Sequence, residues 1–433
     1  MPTPLRRARA HAVAVLRQRP QVSGGNAVRL LAGGDELFPA MREAIEAASQ
    51  SIWMATYIFH DDAASRGLAQ ALSAAAGRGV HVQLVVDGFG SKATLATLRG
   101  WLEASGVQLT VFRPVERWWR LLHPGQLRRL HQKLCVVDGQ TAFVGGINII
   151  DDRNDLGHGW SDTPRLDFAV QVRGPVVDMV EQTTRAIWTR AALGADWREE
   201  LSALARSAEP VGRARRMFRR LLILPPAQDK EAYEREGHEP LPPMRAVFVV
   251  RDNLRQRRAI EHAYVEAIES ARERVCIICP YFYPGRVFRG ALKQAAERGV
   301  QVRLLLQGKA DYRFAALAAQ VLYDELLAAG VRVFEYTPAF LHAKVAVVDD
   351  EWATVGSSNI DPLSLLLNLE ANVVVQDLGF TGTLALRFEA ALAASQEITR
   401  PPVGRGWWGA VRRGFVAWTA YWFLRLAGMS GRY

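Results

Sequence analysis

Apolar positions in this chain change period repeatedly. In residues 39–49 and 259–272 they recur every three or four residues, the spacing of a helix that buries one face. Each stretch runs into a short apolar block, residues 51–58 and 275–279, of the kind a buried strand shows. Each half of the chain reads helix, strand, helix, strand, helix, strand and then a hairpin. That alternation predicts an α/β fold with a mixed β-sheet in each half, flanked by helices.

The halves also match in sequence. EAIEAASQSIWMATYIF at 43–59 resembles EAIESARERVCIICPYF at 266–282, an offset of 223. GRGVHVQLVVDG at 77–88 resembles ERGVQVRLLLQG at 297–308, an offset of 220. HQKLCVVDGQTAFVGGIN at 131–148 resembles HAKVAVVDDEWATVGSSN at 342–359, an offset of 211. The falling offset means that loops differ in length. The period is too long for a solenoid, so two similar domains follow. The expected division is a basic N-terminal tail at 1–25, a first domain at 26–195, a linker at 196–245, a second domain at 246–396 and a Trp/Arg-rich tail at 397–433. The linker carries a basic amphipathic segment at 213–224.

Within the matched hairpins the pattern H-x-K-x4-D, followed by G-x-x-N, occurs twice. The first copy is His131, Lys133, Asp138, Gly145 and Asn148; the second is His342, Lys344, Asp349, Gly356 and Asn359. His and Lys two apart on a strand share a face. Asp138-Gly139 and Asp349-Asp350 are turn signals. A tight turn over 138–141 sets Asn148 across from His131, and one over 349–352 sets Asn359 across from His342. His, Lys and Asn then converge at the open end of each hairpin. Each Asp lies at the far end, where capping the turn is more natural than direct chemistry. Such a cluster suits a phosphate, with Lys as a compact cation, Asn as an amide donor and imidazole as nucleophile or general acid. Two copies supply one histidine to attack phosphorus and one to protonate the leaving oxygen.

Charge sharpens the picture. The chain has 54 Lys+Arg against 44 Asp+Glu, a net charge of +10, which implies an anionic partner: nucleic acid or a membrane surface. Only six of those cations are lysines, and two of the six fill the matched motif positions, so a slim point charge is required there. A hydrophobic fraction of 49% with 23% charged residues excludes bulk disorder and collagen-like repeats, and points away from a polytopic membrane protein. The basic N-terminus lacks the apolar length of a signal peptide, and no run of about 18 apolar residues predicts a membrane-spanning helix. Three cysteines are too few for a disulfide framework and point to a reducing compartment. Cys276 and Cys279 flank Ile277 and Ile278, so this CxxC reads as a pair of buried structural thiols.

With these residues in view, the sequence resembles the phospholipase D superfamily. The likeness covers about residues 26–394. LRRLHQKLCVVDGQTAFVGGINI, the DGFGS after the third strand and HAKVAVVDDEWATVGSSNID are similar to bacterial cardiolipin synthases. The resemblance implies a metal-independent double displacement through a phosphohistidine, with no cofactor. It assigns the motif residues His131, Lys133, Asp138, His342, Lys344 and Asp349 to the catalytic set, supported by Asn148, Asn359, Gly145, Gly356 and Ser357. It further implies that a downstream acid orients each histidine. The matching positions are Asp167 in RLDFAVQV and Glu370 in NLEANVVV, with either acid able to serve either histidine. Where the second copy has Ser357 the first has Gly146, so a hydroxyl donor to phosphate is expected on one side only.

Other features carry less. DDRND at 151–155 lacks the glycine of a calcium loop. The motif lysines argue against zinc, and DGFG at 87–90 is too short for a dinucleotide loop but can border the site. The Trp- and Arg-bearing rim at 118–129 and the tail, with Trp407, Trp408, Trp418 and Trp422 among six arginines and no acid, suit an anionic membrane surface. The expectation is therefore a two-domain enzyme with both motifs in one site about a pseudo-twofold axis. It would transfer a phosphatidyl group from phosphatidylglycerol to a second lipid's hydroxyl at the cytoplasmic face of the membrane, as a peripheral protein. A phospholipase D hydrolase, a phosphatidylserine synthase and a nucleic-acid phosphodiesterase are the alternatives. The aromatic tail favours phospholipid substrates over nucleic acid.

Overall fold

The computed structural model describes residues 22–115, 128–155, 159–205, 244–251, 256–308, 323–361, 364–365 and 368–399. The basic N-terminus to residue 21, the rim as far as residue 127, the amphipathic segment at 213–224 and the tail from 400 lie outside them.

The first half runs β1 (Ser23–Ala32), α1 (Gly33–Ala47), β2 (Ser51–Thr56), α2 (Ala63–Gly77), β3 (His81–Asp87), α3 (Leu95–Leu102) and β4 (Gln108–Phe112). It continues with the hairpin β5 (Leu134–Val137) and β6 (Thr141–Gly145), the short pair β7 (Asn154–Asp155) and β8 (Gly159–Trp160), β9 (Phe168–Arg173) and α4 (Val176–Ala205). The second half repeats the plan: β10 (Met244–Arg251), α5 (Ala259–Ser270), β11 (Arg274–Ile278), α6 (Arg286–Glu297), β12 (Gln301–Gln307) and β13 (Arg332–Tyr336). The hairpin β14 (Val345–Val348) and β15 (Trp352–Gly356), then β16 (Glu370–Gln376), α7 (Leu378–Ala393) and β17 (Ser395–Glu397) complete it. Helix α4 carries on past residue 195 into the expected linker, and β1 and β10 begin at Ser23 and Met244.

One 15-stranded mixed sheet holds both halves, in the order β17-β13-β12-β11-β14-β15-β16-β10-β1-β9-β6-β5-β2-β3-β4. Apart from β17, the order is the same read outward from the β1–β10 junction in either direction, so the halves are related by a pseudo-twofold axis there. β1 and β10 pair antiparallel, with a register shift between Ser23↔Ala246 and Asn26↔Met244.

Strand alternation divides the core into three parts. On β5, Leu134 and Val136 face α4 in a cluster that also takes residues of α7 and Cys276, Ile278 and Leu305 from the second half. Cys135 and Val137 face the opposite side, with Leu37, Met41, Ile45, Leu68 and Leu72 of α1 and α2. Ile260, Tyr264, Ile268, Phe288 and Leu292 of α5 and α6 cover that side of the second half. One face of the sheet thus has a single core running through both halves, and the other has one core per half. All three cysteines are free and buried, and burial pushes the Cys135 and Cys279 thiols up to about 12.

The repeated R-G-V motif explains one shared helix end. Arg78 donates to Ile45 O at 2.9 Å and Glu46 O at 3.0 Å, and Arg298 donates to Ile268 O at 3.0 Å. A cation thereby satisfies the carbonyls that end α1 and α5.

Candidate active site

Each hairpin turn is anchored by its aspartate. Asp138 and Asp349 take positive φ, 52° and 50°, which Asp tolerates better than most side chains. The Asp138 carboxylate accepts from Ser49 N and Ser51 N, both at 2.8 Å, and from Gln50 N; Asp349 likewise accepts from the N–H groups of Arg272, Glu273 and Arg274. These backbone donors hold both carboxyls below the usual range, against the opposite pull of burial. Seven residues of strand, about 20 Å, separate each Asp from its histidine. The reacting set therefore loses Asp138 and Asp349, which fix the ends of the hairpins.

The turns also correct the expected register. The ladders pair Val137↔Thr141 and Val348↔Trp352, so each turn takes up one more residue than a tight turn would. Extended along the ladder, the residue facing His131 is Ile147 rather than Asn148. Asn148 instead turns its buried side chain toward Ile58 N at 3.4 Å, and Asn359 lies 4.0 Å from Cys279 Sγ. Gly145 ends β6 where a Cβ would stand 2.5 Å from Ala169 Cα, so β9 can approach only a glycine there. At Gly356 a Cβ would instead meet the Asn372 side chain and Ala371 O.

The acids arrive from the opposite halves. Leu130 bridges Leu369 in parallel, with His131 N donating to Leu369 O at 3.0 Å. Leu166 bridges Leu341, with His342 N donating to Leu166 O at 2.9 Å. These cross-connections carry Glu370 to His131 and Asp167 to His342. His131 Nδ1 lies 3.0 Å from the Glu370 carboxylate, and His342 Nδ1 lies 2.6 Å from Asp167 Oδ2. A carboxylate on Nδ1 fixes the tautomer and leaves Nε2 for chemistry. Lys133 Nζ donates to His131 O at 2.7 Å, and Lys344 Nζ donates to His342 O. The two lysines and two acids are buried, and the two half-buried imidazoles complete one cluster with them.

The two sides of the cluster are not copies. Ser357 Oγ donates to Glu370 Oε2 at 2.5 Å, so this hydroxyl holds the acid rather than serving as the expected donor to phosphate. On the other side a Cβ at Gly146 would collide with the Asp167 carboxylate, which occupies the space a serine would need. Sequence comparison marked the Ser/Gly difference without its consequence. It missed two further groups: Gln132, which donates to Glu370 O at 2.9 Å, and Tyr57, whose ring centroid lies 5.1 Å from that of His131.

Burial and like charge depress the cations. Lys133 is pulled down to about 7, by burial first and then by Lys344. Lys344 is pulled down to about 8, again chiefly by burial. Burial pushes Asp167 up to about 7. It pushes Glu370 up as well, but His131, Lys133 and Ser357 outweigh it and hold that carboxyl below its usual range. His131 is lowered and His342 lies well below the ordinary imidazole value, both chiefly through burial, with neighbouring lysines adding to it. A bound phosphoryl group would return charge to these lysines.

Known proteins resemble this chain over most of its length. A family model described as "Cardiolipin synthase, PLD-like domain" matches residues 41–158 and 264–392, which include both motifs. The chain is 35% identical over 390 residues to cardiolipin synthase B of Escherichia coli K12, covering 90% of this chain and 86% of that protein. It is 35% identical over 382 residues to cardiolipin synthase A of Pseudomonas aeruginosa, covering 88% of this chain and 70% of that protein. The crystal structure of phosphatidylserine synthase from Haemophilus influenzae superposes with a TM-score of 0.61 at 12% identity, over 97% of this chain and 99% of that one, and so shares the fold.

Two outcomes follow from the geometry. At pH 8, binding of vanadate or phosphate should take up roughly one proton, since it restores charge on lysines lowered to about 7 and 8. Calorimetry in buffers of different ionisation enthalpy reads this uptake; Lys133→Arg, which stays charged, should reduce it, and buffer-independent heats would refute it. Asp138→Ala should cost roughly 1–3 kcal/mol at pH 7 with turnover per folded molecule nearly unchanged. Because Asp138 is held below 3.8 when folded, its contribution is present above that value and is lost as pH falls through the lowered one. Denaturation at pH 7 and pH 3 should show the penalty shrinking in acid, and a turnover loss beyond unfolding would restore Asp138 to the reacting set.

Proposed function

This chain belongs to the phospholipase D-like cardiolipin synthase family, and we propose that it makes cardiolipin by phosphatidyl transfer between two phosphatidylglycerol molecules. The observation that carries the reading is the pair of imidazoles, each held at Nδ1 by an acid from the opposite half, with a lysine beside each.

In this mechanism Nε2 of one imidazole attacks the donor's phosphorus. A P–N bond forms and the P–O bond to glycerol breaks. The other imidazole, protonated on Nε2, gives its proton to the departing oxygen, and glycerol leaves. That second imidazole then takes the proton from the acceptor's hydroxyl, whose oxygen attacks phosphorus and breaks the P–N bond. Lys133 and Lys344 stabilise the non-bridging oxygens, while Asn148 and Asn359 are buried beside the hairpins, against Ile58 N and Cys279. Glu370 and Asp167 keep each Nε2 turned toward the phosphorus. The reaction balances with no added oxidant, metal or nucleotide.

The enzyme works, in this reading, as a peripheral protein on the anionic cytoplasmic face of the membrane. Among the described residues no helix is long and apolar enough to cross a membrane. The net charge of +10 and the Trp/Arg tail support a surface attachment.

The test uses purified protein in mixed micelles with labelled phosphatidylglycerol. Wild type should produce cardiolipin and free glycerol, with a chelator leaving the rate unchanged. His131→Ala and His342→Ala should each lower turnover roughly a thousandfold or more, because attack and protonation need different imidazoles. One of the two variants should retain labelled lipid on the protein in a form that is stable to alkali and lost in acid. Turnover by either variant within tenfold of wild type would refute the mechanism, as would a chelator-sensitive rate restored by a divalent ion.

A further inference from the structure

An enzyme that carries a phosphatidyl group on an imidazole must keep that group from water until a second lipid arrives, because water is the more abundant nucleophile. One side chain in contact with the reacting cluster, which the mechanism above leaves unused, is placed for this task.

Tyr57 directly follows β2 and is half-buried. Its ring centroid lies 5.1 Å from that of His131, with the two planes inclined at 59°, and 5.6 Å from Lys133 Nζ. The ring therefore meets the imidazole and the ammonium group of one motif together. At that distance its negative face attracts the ammonium group.

The loop after β3 closes over the same residue. Ser91 Oγ donates to Tyr57 O at 3.0 Å and accepts from Phe59 N at 3.0 Å. A Cβ at Gly90 would collide with Tyr57 O and stand 2.9 Å from two carbons of the ring, so only glycine lets the loop come down onto it. Asp87, the last residue of β3, accepts from Leu130 N at 2.9 Å, beside His131. Asp87, Gly90 and Ser91 all belong to the DGFGS run, whose first and last residues are buried. One short run of chain thus fixes both the residue before the histidine and the ring that leans on it.

The second half lacks the ring. Phe59 bridges Ile149 and Phe282 bridges Ile360, which equates the two segments. Two residues earlier, Tyr57 corresponds to Pro280. A strand of this sheet can therefore lead toward its histidine without an aromatic side chain, and the tyrosine has another use.

We infer that Tyr57 is a specificity-determining residue whose ring walls the His131 side of the reacting centre against water, so that a lipid hydroxyl takes the phosphatidyl group. The inference rests on the phosphatidyl-transfer reading and adds what decides transfer over hydrolysis. In the reaction the ring suppresses, a water oxygen attacks phosphorus, the P–N bond breaks, the water's proton passes to the other imidazole and phosphatidic acid leaves. In the reaction it permits, the acceptor's hydroxyl makes the same exchange and gives cardiolipin. The two differ only in the nucleophile, so the site separates them by what it admits. The face of the ring offers water little, whereas the glycerol carbons that carry the acceptor's hydroxyl can rest on it.

The test gives purified protein labelled phosphatidylglycerol in mixed micelles and reads the ratio of cardiolipin to phosphatidic acid. Tyr57→Ala should lower that ratio roughly tenfold or more, with label moving into phosphatidic acid. Tyr57→Phe, which keeps the ring, should stay within about twofold of wild type. Tyr57→Leu fills part of the space under Gly90 and covers the case of an alanine variant that fails to fold; it should lower the ratio about threefold or more. Damage to the cluster's geometry alone would slow both products together and leave the ratio where it was. An unchanged ratio in the folded alanine or leucine variant overturns the inference, as does a Tyr57→Phe ratio as low as that of Tyr57→Ala. A wild-type enzyme that releases only phosphatidic acid would overturn the proposed function itself, whereas cardiolipin made at an unchanged ratio overturns this inference alone.

Discussion

Each imidazole of this molecule is held by a carboxylate from the other half, and that exchange makes two domains into one enzyme. Glu370 opens β16 and Asp167 immediately precedes β9, and each is reached through a short parallel bridge across the pseudo-twofold axis. Neither half alone could present a correctly oriented histidine. The β1–β10 pairing and the core that runs through both halves on one face therefore serve a chemical end: they hold two Nδ1–carboxylate contacts at 3.0 Å and 2.6 Å.

Duplication supplies two copies, but the proposed double displacement needs two different imidazoles, one unprotonated to attack and one protonated to donate. The structure breaks the symmetry at a pair of small residues. Ser357 gives Glu370 a hydroxyl partner that helps keep it ionised. Gly146 removes that partner and leaves room for the shorter acid, Asp167, which burial pushes up to about 7. The two histidines are thus coupled to acids of different proton affinity.

Most of the architecture could be read from the chain because duplication doubles every signal. A lone HxK is noise, whereas two with identical internal spacing, embedded in matching strands, fix the hairpins, the shared face of His and Lys, and the acids two strands later. Three things escaped for physical reasons. The register slipped by one because Asp138 and Asp349 adopt positive φ, a choice set by the N–H donors of a distant helix–strand turn rather than by the turn's own residues. The assignment of Glu370 to His131 depends on a bridge between Leu130 and Leu369, far apart in the chain, which no local pattern encodes. The role of Ser357 required its distance to Glu370, since a serine beside a phosphate motif looks the same whether it faces substrate or acid.

The electrostatics of the cluster give the last step. Lys133 and Lys344 are buried, lowered toward neutrality and set beside imidazoles whose proton affinity is also reduced. Every one of these shifts says that the fold disfavours the charged form of the group, so the site opposes its own positive charge while empty. A phosphodiester changes the sign of that balance. It restores proton affinity to both lysines and to the imidazole that must act as acid, and this effect strengthens as negative charge builds on the non-bridging oxygens. The groups are therefore charged most favourably when the phosphorus is crowded by nucleophile and leaving group. In the proposed mechanism, the stability given up by burying these cations is recovered as preferential binding of the transition state.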